Sequence, residues 1–324
     1  MSAAPAITGS ADAIDPMARC TPLPDSIGPV FAKELRQGLR AHRFVLPFVA
    51  VQIFAIIAIG AELGITSAYA GATGSDIFGG LVVWVVIFGV GIIMPLTNIA
   101  ALRPELSDGR NVELLLMSNL NRWQIVRGKW LVGFTLAMLM LVSLIPYLLT
   151  RYFAGGAELF NDLFMILGVI LGNALLTGLA IGASGFGNLL GRFLLMGIGT
   201  LSAWGTMAGT SWLFISFAFS GTGSAVIWPA LATVVSGALV AVLYTVYGLQ
   251  LGRSRLRLFE NPLDPPASGL IIALIIFTPI VVGVATAITA GFGAWVAVAG
   301  LLALALSIDR SPGKDVAAVR YLQP

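Results

Sequence analysis

The sequence predicts an all-α protein: a polytopic membrane helix bundle of about eight spans. Three observations carry that expectation. The chain of 324 residues is 58% hydrophobic and only 10% charged, with a mean hydropathy of +0.95, whereas soluble domains carry about 25% charged residues. Eight stretches approach the roughly 20 apolar residues that a spanning helix needs. Those stretches mix Leu, Ile, Val, Ala and Gly without strict alternation. That pattern speaks against a β-barrel and for helices, which satisfy their own backbone in lipid.

The chain opens with a small, polar, proline-containing stretch, residues 1–27. It has no basic start followed by an apolar core, so it reads as a flexible cytoplasmic tail and not as a signal peptide. Residues 28–43 follow as an amphipathic helix on the inner membrane surface. In "GPVFAKELRQGLRAHRF", Phe31, Leu35 and Leu39 recur every four residues, while Lys33, Arg36, Arg40 and Arg43 occupy much of the rest. Pro29 suits its first turn.

The spans are expected near 44–66, 77–101, 130–150, 163–187, 193–215, 227–250, 269–290 and 293–308. The first six form a core over 44–250 that includes a loop at 102–129. A proline-rich linker, 251–268, separates them from an additional two-span hairpin at 269–309, and 310–324 is a second tail. Basic residues crowd the span ends that eight crossings place on one side, and Arg151 alone falls on the other. The positive-inside rule makes the crowded side the cytoplasm and puts both termini there. The short loops of the opposite side carry Asp76, Glu158 and Asp162.

Several kinds of chemistry have no support in the residues. A charge near the middle of a spanning helix costs about 2.5–3.5 kcal/mol, so ion-coupled carriers keep such charges only for a reason. The spans here are nearly free of them, and Glu62 lies near the outer end of span one, where it is expected to reach the interface. One histidine, His42, and one cysteine, Cys20, supply neither a metal set nor an internal disulfide. No phosphate-binding loop occurs, and "SPGKD" at 311–315 lacks both the upstream glycine and the following hydroxyl residue. No catalytic, cofactor-binding or metal-binding residues are expected, and a net charge of +3 gives no reason to expect nucleic acid.

Small and polar residues mark the spans. Gly60–Gly64, Gly168–Gly172, Gly178–Gly182 and Gly205–Gly209 are G-x-x-x-G pairs that let helix backbones approach. Ser202, Thr206 and Thr210 put three hydroxyls on one face of span five, and span two brings Thr97 and Asn98. These five are candidate substrate-pathway residues. The competing reading is hydrogen bonding between helices or back to the preceding turn.

The loop after span two is the most informative segment. "RPELSDGRNVELLLMSNLNRWQIVRGKWL" reads as two short helices that break at Asn119 and Asn121, with Ser107 or Asp108 and then Asn121 as caps. Its leucines form an apolar surface outside the lipid, and such a surface needs cover. Together with "KELRQGLR", this stretch resembles the permease subunit of type-2 ABC transporters. The resemblance is carried by Gly109, Glu113, Leu114, Leu115, Leu116, Leu120, Ile125, Gly128 and Lys129. It departs at "MSN" and at Asn111, where that family often has Thr-Pro and Thr. The close match covers about 100 N-terminal residues.

The resemblance implies a coupling loop that docks on a separate ATP-binding subunit. Leu114, Leu115, Leu116 and Leu120 would be buried there, with Glu113, Arg122 and Arg127 around them. It also implies ATP and Mg on that partner, a second permease subunit (the same chain or a different one), and an exporter in a bacterial cytoplasmic membrane. A membrane scaffold recruiting a cytoplasmic protein through the same loop is the alternative.

Overall fold

The computed structural model describes residues 29–68, 80–103, 122–153, 159–219, 227–256, 268–289 and 292–308. Among them the secondary structure is helical, with no strand. In chain order the helices are α1 (Pro29–Arg40), α2 (His42–Ala68), α3 (Leu81–Thr97), α4 (Arg122–Phe153), α5 (Leu159–Ser184), α6 (Leu189–Phe219), α7 (Ile227–Arg255), α8 (Ser268–Thr289) and α9 (Phe292–Ser307). Five of these, α2, α4, α5, α7 and α8, contain described stretches long and apolar enough to cross a membrane. The apolar stretches of α3 and α9 are shorter. The chain is therefore an integral membrane helix bundle.

Two boundaries differ from the sequence expectation. The helix expected over 28–43 ends at Arg40, and α2 begins at His42. The bend lies at Ala41, whose N–H bonds the Gly38 carbonyl at 3.1 Å. The span expected from 130 is the body of a 32-residue helix described from Arg122, so residues 122–129 of the expected loop belong to α4.

Contacts fix the directions. The start of α4 lies beside α1, where Lys129 Nζ is 3.0 Å from Glu34 Oε1. The turn that follows α3 meets the end of α5 through the Leu102 N–H and Ser184 Oγ, 3.1 Å apart. The start of α6 reaches back to the same corner through Arg192, which donates from Nε to the Phe186 carbonyl at 2.6 Å. The end of α7 arrives there too, with the Arg255 guanidinium 4.1 Å above the Phe186 ring. This basic end is opposed by an end where Glu62, Arg151 and Asp162 meet.

Glycine sets the closest approach. α5 and α7 run parallel, with Gly178 and Gly182 against Thr245 and Gly248. A Cβ on Gly182 would lie 2.5 Å from the Gly248 carbonyl oxygen, and one on Gly248 would collide with the backbone of Gly178. Gly172 and Gly168, about two and three turns from Gly178 toward the other end, meet nothing within 4 Å. Among the described residues, the pair Gly178 and Gly182 is spent on packing within the chain and the pair Gly168 and Gly172 is not.

The C-terminal hairpin is woven into the bundle. α8 lies parallel to α6: Gly205 faces Pro279, and Gly209 faces Val282 and Thr286. Ile271, Ile275, Val282, Ala294 and Val298 belong to one apolar cluster with Leu179, Leu243, Tyr244 and Tyr247. A second cluster joins α2, α3 and α4 through Val51, Val86, Val90, Met140 and Leu144, with Phe31 and Leu35 of α1 against it.

Candidate functional site

The roots of the loop form the first candidate site. Residues 104–121, and with them Glu113, Leu114, Leu115, Leu116 and Leu120, lie outside the described residues. Arg122 is half-buried and Arg127 exposed. Between them Ile125 and Val126 turn inward onto a third apolar cluster with Leu102, Ile181, Leu249 and Leu256. Period 3.6 therefore splits the first turns of α4 into a buried face and a charged face. Trp130 secures the next turn by donating from Nε1 to the Ala174 carbonyl at 3.0 Å, and its ring stacks on Phe134. On the other side of the loop, Leu102 is fully buried. The loop thus leaves from a buried turn after α3 and returns into the well-packed start of α4.

The hydroxyl face of α6 is the second candidate. Ser202, Thr206 and Thr210 are all buried, and each is engaged. The Tyr244 hydroxyl of α7 lies 2.6 Å from Ser202 Oγ and 2.8 Å from Thr206 Oγ1. Ser202 also donates to the Ile275 carbonyl of α8. Thr206 bonds back to the Ser202 carbonyl at 2.8 Å, and Thr210 to the carbonyls of Thr206 and Met207 at 3.1 and 3.0 Å. One helical turn along, Tyr247 and Thr278 hydroxyls are 3.0 Å apart, and Thr286 Oγ1 donates to the Gly209 carbonyl at 3.2 Å. The hydroxyls form a polar seam that binds α6 to α7 and α8.

Thr97 and Asn98 do not join that seam. Both bond the Met94 carbonyl, at 2.7 and 3.1 Å, and the Asn98 amide packs on Gly133 of α4. A cavity of about 200 Å³ between α5, α6 and α7 is lined almost wholly by apolar groups, among them Gly168, Gly172, Ala203 and Trp204. It opens toward the perimeter, where Trp204 is 75% exposed. Its Thr200 hydroxyl is bonded to the Met196 carbonyl.

Two polar constellations were not anticipated from the sequence. Glu62 does not reach out to the interface: it is buried, accepts from the Val82 N–H at 2.9 Å, and pairs with Arg151 at 3.5 Å. Arg151 also donates to Asp162 at 3.2 Å. The one basic residue set apart by the sequence thus ties α2, the start of α3, α4 and α5 together. Gly80 (φ 92°) passes so close that a Cβ there would lie 2.6 Å from Arg151 Cζ, so only glycine fits. The second constellation is Asn173, fully buried on α5, whose amide reaches the backbone of α3. A polar residue inside an apolar span is the signal that marks both.

Among the described residues no three His, Cys, Asp or Glu side chains gather as a metal set. Comparison with family models, with curated proteins and with solved structures finds no match to this chain.

Proposed function

We propose that the chain is the transmembrane permease subunit of an ATP-driven ABC transporter, an exporter, coupled to a separate ATP-binding subunit through the loop between α3 and α4. The observation that supports this best is how the loop is rooted. Its entry is held by Leu102 on α5, and its exit by Ile125, Val126 and Trp130 on α5 and α7. A displacement of the loop is passed to two packed helices and not lost in slack chain. Movement of packed elements as bodies is how such a device would give alternating access.

In this reading eight helices cross a bacterial cytoplasmic membrane and both termini are cytoplasmic. The basic end faces the cytoplasm. ATP and Mg belong to the partner. A second permease subunit, a copy or a different chain, completes the pathway. That requirement agrees with the seam on α6, where, among the described residues, Ser202, Thr206 and Thr210 spend their hydroxyls on helix contacts. The same observation favours the alternative, a scaffold that recruits a partner through the loop and moves no substrate.

Replacement of Leu115 and Leu116 together by Asp tests the dock. Apolar anchors at an interface centre typically cost at least about 2 kcal/mol each when truncated. The variant is expected to lose its ATP-binding partner on co-purification while its membrane abundance is unchanged. Undiminished partner binding at normal abundance would remove the loop as the dock. Co-purification of a partner that neither binds nor hydrolyses ATP would establish the scaffold.

A further inference from the structure

The middle of α3 is not an α-helix. Over Ile87–Ile93 it widens into a π-helical turn, and the Met94 N–H reaches the Gly89 carbonyl five residues back. Such a turn carries one residue more than the α-turn it replaces, and it leaves backbone groups in need of partners. In an apolar bundle those groups must be satisfied from within the protein. The Val90 carbonyl is met by Asn173 of α5, which donates from Nδ2 at 2.6 Å. The same amide is oriented by Thr177, whose hydroxyl donates to Asn173 Oδ1 at 3.3 Å. Both side chains are fully buried. On the opposite flank Gly89 lies so near α2 that a Cβ would come within 2.8 Å of Val51. The wide turn is therefore clasped on two sides.

We propose that Asn173 is a positioning residue: its bond to Val90 holds α3 in the π register and thereby sets the azimuth of everything beyond Met94, including the root of the loop. The consequence for the loop rests on its reading as the coupling element. The register itself does not. If the π-turn closed to an α-turn, the following residues would rotate by about 100° and shift by about 1.5 Å, the increments of one helical residue. Asn98 would leave Gly133, and Leu102 would leave Ser184, since both contacts belong to the present register.

A disulfide reports that register. A Cβ built on Gly133 lies 3.0 Å from Asn98 Cγ, the separation that a disulfide requires between one Cβ and the opposite Sγ. In a Cys20→Ser background, the pair Asn98→Cys and Gly133→Cys is expected to cross-link efficiently in native membranes. Asn173→Leu removes the donor and should abolish that cross-link. Deleting Gly91 as well takes out the extra residue, restores the azimuth, and should bring the cross-link back. General loosening of the bundle by Asn173→Leu would not be repaired by a second lesion, so this recovery separates positioning from mere stability.

An undiminished cross-link in Asn173→Leu, or its continued loss in the double variant at normal membrane abundance, would overturn the proposal. Neither measurement involves the ATP-binding partner, so failure here leaves the permease reading to its own test. Where the register responds as expected, Asn173→Leu should also reduce coupled ATP hydrolysis with partner binding retained. Unchanged coupling would confine Asn173 to the helix and overturn its role in positioning the loop.

Discussion

Replacing Arg151 by Met tests how the far end of the bundle is held. The guanidinium is 5% exposed and sits between Glu62 and Asp162, at 3.5 and 3.2 Å. The cluster carries one positive and two negative charges, so the substitution takes it from −1 to −2 while leaving both carboxylates buried. Removing one partner of a buried pair typically costs 3–5 kcal/mol, because an uncompensated charge remains. A kcal/mol corresponds to about 2–4 °C of melting temperature for a body of 150–250 residues, so the melt should fall by on the order of 10 °C. The assay is fluorescence-monitored unfolding in a mild detergent. Glu62→Gln should be mild, within about 1 kcal/mol. The amide oxygen still accepts from the Val82 N–H, and Arg151 keeps Asp162. Combining Arg151→Met with Glu62→Gln and Asp162→Asn removes the charges together and should recover most of the loss. An Arg151→Met protein that melts with the wild type would refute the reasoning, as would a triple variant no better than the single one.

Gly248→Ala and Gly182→Ala should each destabilise by about 1–3 kcal/mol or more through backbone collision, whereas Gly168→Ala and Gly172→Ala meet open space and should melt as the wild type. Thr206→Val should cost about 0.6 kcal/mol, the average for a hydrogen bond between membrane helices, and Ser202→Ala more, since Ser202 also holds α8. Any transport defect in these two should track membrane abundance, and a defect at full abundance would return them to the pathway. Cysteine placed at Gly155 should react with an impermeant thiol reagent in intact cells and cysteine at Ser107 should not, the reverse labelling being incompatible with cytoplasmic termini.

Much of the architecture was legible because lipid leaves the chain few choices. Apolar length alone located most of the helices to within a few residues, though α4 starts well before the expected 130. The repeat of Phe31, Leu35 and Leu39 marked an apolar face of α1 that was expected on the membrane surface. Phe31 and Leu35 instead pack on the cluster of α2, α3 and α4, while Leu39 is exposed. Gly178 and Gly182 were legible as a close contact, but nothing in their spacing separated them from Gly168 and Gly172, because the difference lies in the neighbouring helix. The hydroxyl face was visible as a face, and its purpose was not. Tyr244 and Ile275 are 42 and 73 residues from Ser202, and only tertiary structure brings them to it. Glu62 was misjudged for the same reason: position near a span end suggests an interface residue, until Arg151 and the Val82 N–H are found beside it. The π-turn of α3 left no trace in the hydrophobic pattern, since it changes the period by a single residue in a segment apolar all round. The loop's leucines, the residues on which the functional reading rests most, belong to the stretch 104–121 and are known from sequence alone.

The seam along α6 has a consequence for biogenesis. Helices enter the bilayer in the order of synthesis, so α6 arrives with Ser202, Thr206 and Thr210 before Tyr244 exists to meet the first two, and Ser202 waits further for the carbonyl of Ile275. The two threonines can wait because each is already bonded to its own preceding turn. The Ser202 hydroxyl instead bonds across to α7 and α8. A chain that stops after Leu256 would still pair Ser202 with Tyr244, but it would lack the Ile275 carbonyl for Ser202 and the Thr278 hydroxyl for Tyr247. The last hairpin therefore supplies the partners that close the seam from its far side.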